Sequence, residues 1–387
     1  TGNLNIAIGK GAACAITDGG DNIAIGQDAM LSSVSSGINI AIGRGAFKTS
    51  ATTNYYNIAI GDCTMGLSNG SGSDNIGIGR CSAKNITSGA CNVILGSFAA
   101  DSLNTGYHNV AIGTNALGSA TNNYQNVAIG CGALQSSDGT GHNNVAIGPS
   151  ALGGSDVAGS NNIAIGNSAM DALLAGACNI SLGMNALGAA TSGNNNIALG
   201  SCSLGCSTIA NCNVAIGQGA MEGVSTNHHH VNVAIGRYAM CGSASSEGQY
   251  NIAFGSYAMA IVSTGCDNIA IGQRTMGCQT LGGSTNAGNC NIGIGKLAMS
   301  DVSTGFHNIG IGASAMRGAV TGSNNVAIGQ NTALTVTSGS YNIAIGNGAL
   351  AGTTGGHRHV AIGVGAGDNV GNADCTINIG NNADRTT

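Results

Sequence analysis

The sequence predicts an all-β fold: a parallel β-solenoid of about 22 coils, each 17 or 18 residues long. Three observations carry this. A phrase of the form Asn-Ile-Ala-Ile-Gly returns from Asn5, Asn22 and Asn39 through to Asn342, followed by degenerate copies at His359 and Thr376. Its spacing is 17 or 18 residues almost everywhere, with two intervals of 19 and one of 23. Within the phrase, large β-branched residues alternate with a small one, which is the period-2 pattern of a short strand. Helix is a poor alternative. Glycine recurs every few residues at a cost of roughly 1 kcal/mol each in a helix, and no i, i+3, i+4, i+7 stripe appears.

Taken in order, each coil starts with Asn. Its amide has donors and an acceptor, so Asn residues of successive coils can bond up and down a ladder and satisfy the turn backbone. The strand follows, and here the expectation is that Ile23 and Ile25 point inward and Ala24 outward. Gly26 then turns the chain into a second short strand, and Met30 re-enters the core together with its equivalents Phe47, Met65, Leu117, Leu134 and Met170. A weaker apolar position comes next, at Val34, Leu103, Val224, Val302 and Val336. Ser/Thr-Gly pairs such as Ser36-Gly37 and Thr304-Gly305 close the circuit. On this reading the outward row of Ala and Gly, including Ala24, Ala41, Gly77, Ala111 and Ala128, lets another backbone approach closely. The expected partner is the same row on another copy of the chain, making a homotrimeric rod.

Domain organisation reads as one repeat array over residues 1–387. It has enlarged turns in the intervals 213–251, an insertion at about 278–289, and degenerate terminal coils over 359–387. Hydrophobic residues make up 43% of the chain at fixed offsets, which argues against disorder despite 67 glycines and 7% charged residues. A net charge of −5 with no basic stripe argues against nucleic acid as a partner. No apolar run is long enough for a membrane helix, and the N-terminus lacks a signal-peptide pattern. Starting on a repeat boundary and ending after a decaying copy fits a processed chain, or part of a longer protein anchored elsewhere.

The phrase Asn-Val-Ala-Ile-Gly, two variable residues and Ala-Leu, at Asn109 to Leu117, Asn126 to Leu134 and Asn144 to Leu152, resembles the head repeats of trimeric autotransporter adhesins of the YadA type. With linkers such as Thr321-Gly322-Ser323-Asn324-Asn325, it is still more similar to the repeat region of phage and viral tail fibres that carry a C-terminal intramolecular chaperone. The resemblance covers nearly the whole chain, departing from the adhesins in its longer period. It implies a left-handed parallel β-roll, three chains about one axis, and an extracellular place on a virion or cell surface. The implied function is a structural, adhesin-like fibre that projects from a phage or virus particle and mediates or spaces host attachment. The alternative is the head of a bacterial surface adhesin; an ice-binding solenoid or self-assembling extracellular filament ranks lower, because the strand face offers Ala where ice binding would want Thr.

Candidate chemistry is sparse. The sequence assigns no catalytic, cofactor-binding or metal-ligating residue, and no enzymatic activity is expected. His228-His229-His230 and His357-Arg358-His359 read as polar turns in preference to metal sites. Asp18 to Asp21 and Asp368 to Asp374 lack the ligand count of a calcium loop. Cys63 and Cys81 stand six residues after the leading Asn of consecutive copies. Stacked coils would bring their Cα atoms to about 4.8 Å, within disulfide reach, and leave open whether they are bridged. The sequons at Asn69 and Asn85 would be accessible and that at Asn179 buried. Tyr55, Tyr56, Tyr107, Tyr124, Tyr250 and Tyr341 precede leading Asn residues and would decorate one edge. There they could stack on sugars or simply cover the turn. A cell-surface glycan or a protein receptor is the possible partner.

Overall fold

The structure, a computed structural model, describes residues 4–49, 54–67, 71–137, 141–154, 158–223, 229–242, 248–260, 264–277, 287–318, 320–368, 370–371 and 373–383. The coils group into two compact units, Thr1–Asn194 and Asn195–Thr387. The first contains eleven three-residue strands, from β1 (Ile6–Ile8) to β11 (Ile180–Leu182). The second contains eleven more, from β12 (Ile197–Leu199) to β24 (Ile377–Ile379), with two-residue strands β13 (Ala210–Asn211) and β15 (His229–His230) between them. Within each unit the phrase pairs with itself in parallel and in register: Ile23 lies beside Ile6 and Ile40, and Ile345 beside Ile328 and Ile362. The chain is therefore a parallel β-solenoid, and no helix occurs among the described residues.

The segment after Gly26 differs from expectation: it is a turn, with no second strand. Asp28 and Met30 take positive φ of 57° and 52°, as does Asp21 before the leading Asn at 59°. An extended strand cannot accommodate that geometry, which costs a non-glycine residue roughly 1–2 kcal/mol. Hydrogen bonds between coils hold these residues there. The Asp28 amide donates back to Lys10 O at 2.9 Å, the Met30 amide forward to Ala46 O at 3.0 Å, and the Ile38 amide back to Gly20 O at 2.9 Å. Backbone pairing thus continues through the turn by alternating direction, without strand geometry. At the strand end, Gly130 has φ of 136°, and a Cβ there would lie 2.5 Å from Gly148 O.

The Asn ladder is present and buried. The Asn39 amide donates to Asn22 Oδ1 at 3.0 Å, and the Asn57 amide to Asn39 Oδ1 at 2.9 Å. Each side-chain amide also reaches a turn carbonyl, as Asn22 Nδ2 does to Ser36 O at 2.8 Å. In the coils that lead with Asn, one residue type satisfies a backbone donor and a backbone acceptor, so the buried turn leaves neither unpaired.

The facing of the strand is the reverse of the expectation. Ala24, Ala41, Ala59, Ala111 and Ala128 are fully buried, whereas Ile23 and Ile25 and their equivalents are half-buried or exposed on the outside. The reason is interior width. At Gly77 an added Cβ would come within 2.9 Å of Met65 Cε, and at Gly310 within 2.7 Å of Met299 Cγ. In these coils the strand centre sits on the large side chain that ends the turn of the preceding coil, and this leaves room for little more than a methyl group. Met30, Met65, Leu117, Leu134 and Met170 fill the interior as expected. Leu103, Val302 and Val336 join them, but Val34 is exposed because the buried register falls one residue earlier, on Ser33. Val224 lies outside the described residues.

Candidate interaction faces

Because Ala turns inward, each coil shows two apolar residues on its outer strand face. In the first unit these form two rows, Ile6, Ile23, Ile40 and onward to Ile180, and Ile8, Ile25, Ile42 and onward to Leu182. No polar or charged residue interrupts either row, and the second unit repeats the arrangement with Ile, Val, Leu and Phe254. Side chains one coil apart lie about 4.8 Å from each other and partly cover one another. Even so, Leu182, Phe254 and Ile343 remain exposed. Eleven coils at that rise make a strip roughly 50 Å long in each unit.

A second face lies at the turn before the leading Asn. The six tyrosines expected on one edge fall at two adjacent positions of the coil. Tyr55, Tyr107 and Tyr124 stand two residues before Asn; Tyr56, Tyr250 and Tyr341 stand one before it. Backbone bonds fix the register: His108 N donates to Ala90 O at 3.0 Å and Gln125 N to Tyr107 O at 3.0 Å. Tyr107 and Tyr124 stack with centroids 5.0 Å apart and planes 3° from parallel, and His142 continues the stack at 3.5 Å. Burial lowers the His142 pKa from its ordinary value.

The residues just after the strand carry a third cluster that sequence reasoning missed. Tyr238 and Tyr257 stack at 5.4 Å, with the Arg237 guanidinium 5.3 Å from the Tyr257 centroid and that of Arg274 at 6.0 Å. The available signal was the common offset of Tyr238, Tyr257 and Arg274 from Asn232, Asn251 and Asn268. At the corresponding coil position in the first unit, Arg44 grips Asp62 of the next coil in a bidentate pair at 3.0 and 2.8 Å. The hydrogen bond from Arg44 holds the Asp62 carboxyl below its ordinary pKa.

The remaining candidates do not converge. Cys63 and Cys81 are free thiols, and burial pushes the Cys63 thiol up. His228 lies outside the described residues, while His229 and His230 form β15, paired with β13. Nδ1 of His357 accepts from the Ser340 amide at 3.1 Å. The Asp374 and Asp368 carboxylates accept from the amides of His357 and Gly352, both at 2.8 Å. Among the described residues, no three His, Cys, Asp or Glu side chains gather as a metal site would require. Asn85 is exposed and Asn179 buried; Asn69 and residues 278–286 of the insertion lie outside the described residues. No protein-family model matches the chain. No curated protein matches it either.

Proposed function

We propose that this chain is the repeat segment of a structural, adhesin-like fibre that projects from a phage or virus particle, associates with copies of itself, and mediates or spaces host attachment. The observation that carries this reading is the double row of Ile, Val and Leu on the outer strand face, which no polar residue interrupts within either unit. Parallel strands that are apolar on both faces are ordinarily covered on both. Here the Ala face is covered by the coil's own interior, and within each unit nothing among the described residues covers the Ile face. An apolar strip with a repeat of about 4.8 Å is matched along its length by a surface with the same repeat, and another copy of the chain supplies one. The association expected through the Ala row therefore moves to the Ile rows. The number three comes from the resemblance to trimeric fibres.

Light scattering on the purified chain tests this. A mass near three times 37.5 kDa is expected, and the variant carrying Ile129→Lys with Ile147→Lys should fall to a single-chain mass with its fold retained. A single-chain mass for the unmodified protein overturns the reading.

A further inference from the structure

We propose that the coils from Tyr55 to His108 form a trough that binds a neutral pyranose disaccharide. The inference rests on the attachment part of the reading above and is independent of the association part. In the row two residues before Asn, successive coils carry Tyr55, Ser73, Ala90, Tyr107, Tyr124 and His142. Tyr124 is covered on both sides, by Tyr107 and by His142, and is half-buried. Tyr107 ends the stack and is 41% exposed, because the next level holds only the methyl group of Ala90. The ring face that Tyr124 leaves uncovered therefore looks onto an unfilled level. A flat apolar ring seated there continues the stack.

Three coil steps, roughly 14 Å, separate the Tyr107 level from that of Tyr55. That span is about three ring thicknesses, so a pyranose seated face-on against Tyr107 leaves room for its linked partner before the level of Tyr55. Tyr55 closes the far end, also 41% exposed, with its ring edge against Gly37, where an added Cβ would meet it at 3.0 Å. Tyr56 stands beside it at 6.2 Å, as His108 stands edge-on to Tyr107 at 5.4 Å. Between these walls the floor is Ser73 and Ala90, flanked by exposed Asp74 and Cys91. Ser73 Oγ accepts from the Tyr55 amide at 3.3 Å, which leaves its hydroxyl proton free to be donated.

This is the donor and acceptor set a sugar uses. The C–H face of a pyranose carries slight positive charge and packs on the negative face of an aromatic ring. Its hydroxyls then donate to the Asp74 carboxylate and accept from Ser73. The single exposed carboxylate disfavours acidic sugars, and this selects neutral ones.

The test is saturation-transfer NMR on the full chain with cellobiose, lactose and maltose as separate probes and sialyllactose as the acidic comparator. Transfer to the ring C–H protons of at least one neutral probe is expected, with none to sialic acid protons. Ala90→Tyr fills the open level without removing any group, so it should weaken binding at least tenfold, as should Tyr107→Ala; Tyr341→Ala should leave binding unchanged. Circular dichroism identical to that of the parent shows that each variant folds. No transfer to any neutral probe, or unchanged transfer in the Ala90→Tyr variant, overturns the proposal. Repeating the assay on the Ile129→Lys, Ile147→Lys protein separates the two readings, since sugar binding there does not require association.

Discussion

Ile94 occupies the strand-centre position that Ala or Gly holds in most coils, and it is fully buried. The strand centre rests on the side chain eight residues after the Asn of the preceding coil, as Gly77 does on Met65 and Gly293 on Met276. For Ile94 that residue is Ala83, where most coils carry Met, Leu or Phe. The large and small residues have exchanged places, which predicts a strong coupling. Ile94→Ala should open a cavity and cost about 2–5 kcal/mol. Ala83→Leu should overpack the same space and cost about 1–3 kcal/mol. The double variant restores the common arrangement and should cost less than the sum by roughly 1–3 kcal/mol. Urea titration gives the stabilities, and amide exchange across residues 75–112 localises the change if unfolding proceeds coil by coil. Additive costs, or an Ile94→Ala change within about 0.5 kcal/mol of the parent as expected of a surface site, would refute the inward facing of this position. The interface assigned to the Ile rows would fall with it.

Three other perturbations probe the coil. Thr353 Oγ1 is buried without a partner, at the offset where Leu103 and Val336 sit, so Thr353→Val should raise stability by about 1–3 kcal/mol in urea titration. Asn126 Oδ1 accepts from the Asn144 amide at 2.8 Å and its Nδ2 donates to Gly141 O at 3.1 Å. Asn126→Ala strands both backbone groups, and a loss of about 2–6 kcal/mol with faster exchange at the Asn144 amide is expected. His359 takes an Asn place in the ladder: its backbone amide donates to Asn342 Oδ1, while Nε2 is buried without a partner. Burial lowers its pKa, so the unfolded chain binds the proton more readily than the folded one. The stability this contributes is complete above the ordinary histidine pKa of about 6.5 and declines as pH falls below it. His359→Asn should abolish that acid-side loss in the last coils, measured by exchange at pH 7 and pH 5; an unchanged pH dependence would exclude His359 as its source.

How much of this was legible in the sequence depended on what each residue needs to be read. The period of Asn5, Asn22 and Asn39 determined the stack, its parallel register and the Asn ladder, because identical residues at one spacing can pair only with their own copies. The single large residue after the turn, Met30 or Leu117, identified the core filler for the same reason. The facing of Ile-Ala-Ile was a different kind of question. A period of two is symmetric between faces, and hydrophobicity alone favours Ile inside. Interior width decides it, and that width is set by Met65 against Gly77 across two coils. Likewise, Asp28 and Met30 read as strand residues until their positive φ and their bonds to opposite neighbours are seen. The tyrosines were visible one by one. Only the coil register shows that Ala90 leaves the ring of Tyr107 uncovered, because a gap is defined by what stands on either side of it in space.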